Sequence, residues 1–296
     1  MRLLNASGCL DALTAPEVAR SLDVFVTKTV TPLPRDGNPP ARIAETQGGM
    51  LNAIGLANPG IDRFIDTVLP ELKRLGVSIW VSVGGFAADD YGRLCDPLDD
   101  HAEVEAIELN LSCPNVDETH ENAAAIMRTA RGSTRKPLYA KLSAAVPDIG
   151  ELARAVAAAG ADGLSLVNTV RGLALDEQTL RPRLERAVGG YSGPALRPIA
   201  LAAVYACYRA TEIPIVGMGG VACGHDALEF IAAGATDVAL GTVLFADPDA
   251  PARVRSEVAA EAAARGFAAP SDACGIAHLP ASTTVGHRDR ARSLVV

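Results

Sequence analysis

The sequence predicts a single (β/α)8 barrel, on three observations. Eight short apolar runs, typical of buried parallel strands, alternate with longer segments whose apolar residues recur at helical spacing. No low-complexity linker or charge block divides these units, and the first predicted strand is not followed by the G-x-G-x-x-G turn common in open doubly wound sheets. A length of 296 residues is large for an ordinary domain but suits a barrel.

The eight predicted strands share an apolar centre. They are Leu3–Ala6, Val24–Lys28, Ile79–Val83, Ala106–Leu111, Leu138–Leu142, Gly163–Asn168, Ile213–Gly217 and Asp237–Leu240. Helical spacing predicts helices at Ile61–Leu75, Ile149–Ala159, Pro198–Ala210, Asp226–Ala233 and, as a closing helix, Pro251–Arg265. Three of these helices are followed by a glycine in the position of a C-terminal cap, namely Gly76, Gly160 and Gly234. We assign 1–279 to the barrel domain and 280–296 to a polar tail.

Composition narrows the class of protein. Hydrophobic residues make up 49% and charged residues 21%, enough for a large core, and the net charge of -8 argues against nucleic acid or an anionic membrane as partner. Without a membrane-length apolar run or a signal peptide, we expect a cytoplasmic protein. The six cysteines form no C-x-x-C pair, so we expect no metal site and no iron–sulfur site within this chain.

A polar residue or a glycine pair stands at the end of every predicted strand. In chain order these are Ser7, Lys28, Ser82, Asn110, Lys141, Asn168, Gly219-Gly220 and Gly241-Thr242. A lone lysine or asparagine there is most often a surface or turn residue, but eight cases in eight strands indicate a ligand at the carboxyl end of the barrel. The glycine pairs could be plain turns. Because they follow the seventh and eighth strands, where barrels commonly bind phosphate, we predict a phosphorylated cofactor.

Two further segments carry candidate chemistry. Cys113, in the run 110–115 after the fourth strand, could be a nucleophile or a proton-transfer base, although a structural cysteine is the alternative. The Gly- and Asn-rich segment 48–60 is predicted to be an ordered loop that presses Asn52 against a planar polar ligand. It lies in one of two long connections, 29–60 and 169–194, of a length that is usually functional.

Five motifs together resemble the class 1 dihydroorotate dehydrogenases. They are GMLNAIGL at 49–56, NLSCPNV at 110–116, ADGLSLVNT at 161–169, GGYSGPA at 189–195 and GMGG at 217–220. The resemblance runs in order from about Leu4 to Ala246. The loop at 49–56 looks most like the NAD-dependent subtype, whose catalytic subunit pairs with a separate flavin and iron–sulfur chain.

The resemblance implies an FMN enzyme that oxidises (S)-dihydroorotate to orotate in pyrimidine biosynthesis. Cys113 would remove the C5 proton while the C6 hydride passes to flavin N5, and Lys141 would stabilise the reduced ring. The implied substrate-binding residues are Lys28, Asn52, Ile54, Gly55, Leu56, Asn110, Asn115, Asn168 and Thr169. The implied FMN-binding residues are Ser7, Lys28, Thr29, Asn110, Lys141, Val167, Gly193, Gly219, Gly220, Gly241 and Thr242.

The sequence departs from the family pattern at several points. The first strand begins almost at Met1, without the usual preceding hairpin, Ser82 replaces an Asn, Thr29 replaces a common Gly, and the loop after Val116 is short. Two alternatives therefore stay open: a flavin enzyme for another dihydropyrimidine, such as dihydrouracil, and a non-catalytic flavin-binding subunit. The electron acceptor, either NAD through a partner chain or a small acceptor such as fumarate, also stays open. A homodimer is implied by the resemblance alone.

Overall fold

The computed structural model describes residues 1–111 and 119–280. Their strands are β1 (Leu3–Asn5), β2 (Val24–Val26), β3 (Ile43–Thr46), β4 (Gly49–Asn52), β5 (Ser78–Val83), β6 (Val104–Asn110), β7 (Leu138–Leu142), β8 (Gly163–Leu166), β9 (Val170–Leu173), β10 (Val188–Ser192), β11 (Ile215–Met218) and β12 (Asp237–Leu240). Their α-helices are α1 (Pro16–Arg20), α2 (Ile61–Arg63), α3 (Leu69–Arg74), α4 (Ala88–Asp99), α5 (His120–Ser133), α6 (Ile149–Ala158), α7 (Arg197–Ala210), α8 (Gly224–Ala233), α9 (Val243–Ala246) and α10 (Ala250–Ala264).

Eight of the strands close into a parallel barrel in the order β1-β12-β11-β8-β7-β6-β5-β2. The predicted (β/α)8 barrel is confirmed, with every predicted strand present and its ends shifted by no more than two residues. The interior is filled by side chains that alternate along the strands, among them Leu4, Val26, Trp80, Tyr139 and Met218. A larger apolar core lies between the outer face of the barrel and the helices.

The second residue packs at the amino end of the barrel. The Arg2 guanidinium lies 5.3 Å from the ring centroid of Trp80. It is 3.1 Å from the Asp237 carboxylate and 2.8 Å from the Glu105 carboxylate. Beneath it, the rings of Trp80 and Tyr139 are 4.2 Å apart. A cation over an aromatic pair therefore covers part of the amino end of the barrel.

The predicted helix at 61–75 is not regular. It begins as α2, continues as a π-helix at Phe64–Val68 and ends as α3. Pro70 lies at the start of α3 and has no backbone N–H to donate to the preceding turn, which is a common reason for such a break. The glycine caps are as predicted: Gly76, Gly160 and Gly234 all have left-handed φ angles, of 70°, 107° and 117°.

The two long connections form a second sheet that the sequence did not predict. Strands β3, β4, β10 and β9 pair antiparallel in that order, so the connection after β2 is joined to the connection after β8. The prediction of a loop at 48–60 was therefore wrong for β4. Leu51 of β4 is buried with Ala44 and Leu184 in a small apolar cluster. A Cβ on Gly49 would lie 2.1 Å from the Ser192 carbonyl oxygen, so only glycine permits this pairing.

Candidate active site

Polar side chains from neighbouring strands face the barrel interior at its carboxyl end. Asn110, Lys141 and Ser165 are in register on β6, β7 and β8, so they point to the same side of the sheet. That side is the interior, because Tyr139, two residues before Lys141, packs among the interior side chains. Lys141 is buried, and the buried Ser165 hydroxyl has no hydrogen-bond partner in the part of the chain that the structure describes.

Hydroxyl groups link the ends of β1, β2 and β5. Ser7 Oγ donates to the Thr27 carbonyl oxygen at 2.8 Å and lies 3.4 Å from Thr29 Oγ1. Thr29 Oγ1 is also 3.1 Å from Ser82 Oγ. Ser82, which replaces the Asn expected from the family pattern, thus adds a third hydroxyl group to the chain formed by Ser7 and Thr29.

Amide groups continue this chain across the barrel to β8. Asn110 Nδ2 donates to Thr29 Oγ1 at 3.4 Å, and Asn110 Oδ1 accepts from Asn168 Nδ2 at 3.1 Å. Asn168 Oδ1 in turn accepts from the backbone N–H of Thr169 at 2.8 Å. The structure therefore brings Ser7, Asn110 and Asn168, three of the predicted strand-end residues, into one network with Thr29 and Thr169.

Lys28 is a half-buried cation beside this network. Its side chain lies over Gly8, where an added Cβ would come within 2.9 Å of Lys28 Cδ. Burial lowers the pKa of Lys28, the charge of Lys141 lowers it further, and Cys9 opposes the shift. Lys28 makes no hydrogen bond or ion pair with residues 1–111 or 119–280, so its charge is available to an anionic ligand.

Two residues at the site were missed by sequence reasoning. Cys9 interacts electrostatically with Lys141 and Lys28: burial raises the pKa of its thiol, and the two ammonium charges oppose the rise. Glu108 is buried in β6, with Oε1 3.5 Å from Lys141 Nζ. The sequence offered one signal for Glu108, its position two residues before Asn110, but β6 also carries Glu105.

Glycines form a cradle next to the network. Gly193, Gly219 and Gly220 have φ angles of 116°, 120° and 85°. A Cβ on Gly220 would lie 2.7 Å from the Gly193 carbonyl oxygen, and one on Gly219 would lie 3.5 Å from Val167 Cγ2. Protein atoms therefore leave no room for a side chain at these positions, and the positive φ angles also favour glycine. Bare backbone N–H groups in such a turn are the kind of donor that binds phosphate. Gly241 lies apart from this group, near Ala6 and Cys9, and precedes Thr242.

The second sheet brings the connection after β2 towards the network. Asn52 Nδ2 donates to the Gly190 carbonyl oxygen at 3.3 Å, and a Cβ on Gly190 would lie 2.1 Å from Thr169 Oγ1. Asn52 and Thr169 thus lie on either side of Gly190.

The three predicted residues after Asn52 hydrogen-bond within their own connection. The carbonyl oxygens of Ile54, Gly55 and Leu56 accept from the side chain or backbone of residues that flank the loop, namely Asn38, Arg35 and Asn58. Leu56 has a left-handed φ of 59°, which is uncommon for a leucine.

Cys113 and Asn115 lie outside the described residues. Within those residues, no three or more His, Cys, Asp or Glu side chains are grouped so that they could hold a metal ion. None of the described helices is both long and apolar enough to cross a membrane.

The closed barrel with polar groups at its carboxyl end is the arrangement of the (β/α)8-barrel enzymes, which carry their active sites at that end. A family model described as Dihydroorotate dehydrogenase matches residues 2–261. The chain therefore belongs to the dihydroorotate dehydrogenase family, and the resemblance seen in the sequence is confirmed.

Individual relatives agree with the family match. The chain is 44% identical over 264 residues to a protein of Desulforudis audaxviator (strain MP104C) named dihydroorotate dehydrogenase B (NAD(+)), catalytic subunit; the alignment covers 87% of this chain and 86% of that one. It is 46% identical over 236 residues, 77% of each chain, to the protein of the same name from Geotalea uraniireducens (strain Rf4). The crystal structure of DHODH in complex with ferulenol from Eimeria tenella matches with a TM-score of 0.80 at 22% identity, covers 95% of this chain and 86% of that one, and supports the fold.

Proposed function

We propose that this chain oxidises (S)-dihydroorotate to orotate with FMN as cofactor, as the catalytic subunit of an NAD-dependent dihydroorotate dehydrogenase of the cytoplasm. The observation that carries the proposal is that two cations, Lys28 and Lys141, stand at the same end of the barrel as the Asn110–Asn168 amide pair. Such a set of groups matches a planar ligand with a carboxylate and two amide-like edges.

The described residues fit FMN. Gly193, Gly219 and Gly220, together with Gly241 and Thr242, would hold the phosphate through backbone N–H groups, in turns whose positive φ angles at the first three favour glycine. Ser7, Lys28, Thr29, Asn110, Lys141 and Val167 would hold the ring system. When bound, FMN would supply the acceptor for the hydride that leaves the substrate.

The chain's own groups orient the substrate. The ammonium of Lys28 would bind the carboxylate, and the side-chain amides of Asn110 and Asn168 would each donate and accept along the amide-like edges. Asn52, Ile54, Gly55, Leu56, Asn115 and Thr169 complete the binding set that the family resemblance implies. The carboxylate of dihydroorotate would pair with the half-buried Lys28, whereas the uncharged dihydrouracil would not. The cation therefore favours dihydroorotate over dihydrouracil.

Cys113 is the proposed base. Its thiolate would take the proton from C5, the hydride would leave C6, and the electron pair of the C5–H bond would form the C5–C6 double bond of orotate. Cys9 is the less suitable thiol at the site, since burial raises its pKa and so disfavours the thiolate.

The two thiols can be separated by experiment. We expect Cys113→Ala to slow reduction of bound flavin by dihydroorotate by 10²-fold or more in anaerobic stopped-flow measurements, the scale of a lost general base. Cys9→Ala, the matched control, should stay within about tenfold of the unsubstituted protein, below that scale. Equal rates for Cys113→Ala and the unsubstituted protein would refute the assigned base.

The acceptor requires a second chain in this proposal. The catalytic chain would form a homodimer and pass electrons to a separate subunit carrying FAD and an iron–sulfur cluster, which would reduce NAD. Full NAD reduction by the purified catalytic chain alone would contradict this part of the proposal. Reoxidation of the reduced protein by fumarate would instead indicate a small-molecule acceptor.

A further inference from the structure

Glu108 is a buried carboxylate in the barrel interior whose role the proposed reaction does not include. Its side chain is 1% exposed, and Oε1 lies 3.5 Å from Nζ of Lys141, which is 7% exposed. A buried ion pair costs desolvation that its attraction often fails to repay, and an apolar pair of similar volume usually serves stability as well or better. The pair therefore calls for a functional explanation.

Lys141 has donors to spare. An ammonium carries three N–H groups, and the hydrogen bond to Glu108 is the one that Lys141 Nζ makes among the described residues. Ser165, opposite Lys141 in the parallel register, keeps a buried hydroxyl without a partner in the same residues. Glu108 thus holds the ammonium from below, from the layer of Ser82 and Tyr139, and leaves its other donors for a ligand above.

The charges of Lys28, Lys141 and Glu108 do not cancel. The two lysines contribute two positive charges and Glu108 one negative charge, so the balance of these three described residues is one positive charge when all are ionised. Cys9 is the other titratable group that interacts with both lysines. In an interior with little water, this net positive charge interacts strongly with a bound group whose own charge changes during the reaction.

We propose that Glu108 is a positioning residue for the flavin: its carboxylate fixes the ammonium of Lys141 and offsets one of the two positive charges of Lys28 and Lys141, and so would set how strongly the site favours the reduced flavin. This inference rests on the proposed function. It adds a residue that acts through Lys141 without itself touching substrate or cofactor.

The test is the midpoint potential of the FMN-loaded full chain, measured by anaerobic spectroelectrochemistry. Glu108→Gln removes the negative charge at nearly constant volume and leaves two unopposed ammonium groups. Because the reduced flavin is the more negative form, we expect Glu108→Gln to favour it by about tenfold or more at neutral pH. For a two-electron couple a tenfold change raises the potential by about 30 mV.

Two further variants keep the proposal falsifiable. Glu105→Gln makes the same change of charge at the opposite end of the barrel, beside Arg2, and should leave the potential unchanged. Glu108→Asp keeps the charge and should shift the potential less than Glu108→Gln, which also covers the case in which Glu108→Gln fails to fold. A Glu108→Gln potential equal to that of Glu105→Gln, or a Glu108→Asp shift as large as that of Glu108→Gln, would overturn the proposal.

The outcomes also separate this proposal from the proposed function. If FMN binds and is reduced by dihydroorotate but the potential does not respond to Glu108→Gln, the role of Glu108 alone is wrong. If the chain does not bind FMN, or dihydroorotate does not reduce it, the proposed function fails and the role of Glu108 fails with it.

Discussion

Keeping Lys28 charged in the folded protein costs free energy, and the binding of an anionic ligand would offset that cost. Its pKa lies below the ordinary 10.5, because burial and the charge of Lys141 disfavour the ammonium. At pH values between the lowered pKa and 10.5 the unfolded chain binds more protons than the folded chain, so stability rises with pH in that window. Below the lowered pKa the full cost is present.

Substituting Lys28 should therefore separate stability from binding. We expect Lys28→Met to raise the free energy of unfolding of the FMN-free protein by about 1 kcal/mol at neutral pH. The gain should shrink as the pH approaches 10.5. The same variant should bind orotate at least tenfold more weakly, by titration of the FMN-loaded protein. A lower free energy of unfolding for Lys28→Met at neutral pH would contradict the conclusion that the charge of Lys28 destabilises the folded protein.

The residues of the site differ in how well the sequence revealed them. Ser7, Asn110 and Asn168 were predictable because each stands at the end of an apolar strand. Glu108 was not, because β6 contains two glutamates and its pairing with β5 is irregular near Glu105, between Ile79 and Trp80. Side chains alternate between the two faces of a regular strand. This alternation cannot show which of two nearby carboxylates faces the interior when the strand carries such an irregularity.

At the scale of elements, the barrel was predictable and the second sheet was not. The barrel strands are continuous apolar runs, which the sequence displays directly. Strand β4 contains Gly and Asn instead of β-branched residues, and it pairs with a strand far along the chain: Asn52 bonds to Gly190, 138 residues away. Local composition therefore favoured a loop, while tertiary pairing made a strand.

The pairing of β4 with β10 depends on Gly49. We expect Gly49→Ala to destabilise the protein by about 2 kcal/mol or more, because its Cβ would meet backbone. It should also weaken orotate binding, because Asn52 lies on the same strand. Gly132→Ala is the matched control, since a Cβ at this helical position meets nothing within 4 Å and should be neutral or stabilising. Denaturant unfolding and orotate titration would check both; equal stability of the two variants would contradict the packing argument.

At the scale of the whole molecule, the two ends of the barrel have separate tasks. Arg2 packs over Trp80 at the amino end, whereas the groups proposed to bind ligands lie at the carboxyl end. We expect Arg2→Ala to lower the free energy of unfolding by about 1 kcal/mol, through the lost contact with Trp80 and two partly exposed ion pairs. Orotate affinity should not change. Arg20→Ala, which removes an exposed pair with Glu17, should have a smaller effect on unfolding; an Arg2→Ala variant with weakened orotate binding would contradict the separation.

In the proposed function, the carboxyl end of the barrel holds FMN and passes it the hydride of dihydroorotate. The most direct measurement is the visible spectrum of the FMN-loaded protein under anaerobic conditions, before and after dihydroorotate is added, with dihydrouracil as the parallel addition. We expect the flavin absorbance to bleach with dihydroorotate and to persist with dihydrouracil. Bleaching by dihydrouracil alone would move the substrate to another dihydropyrimidine, and an oxidised flavin in both mixtures would contradict the account in favour of a non-catalytic flavin-binding subunit.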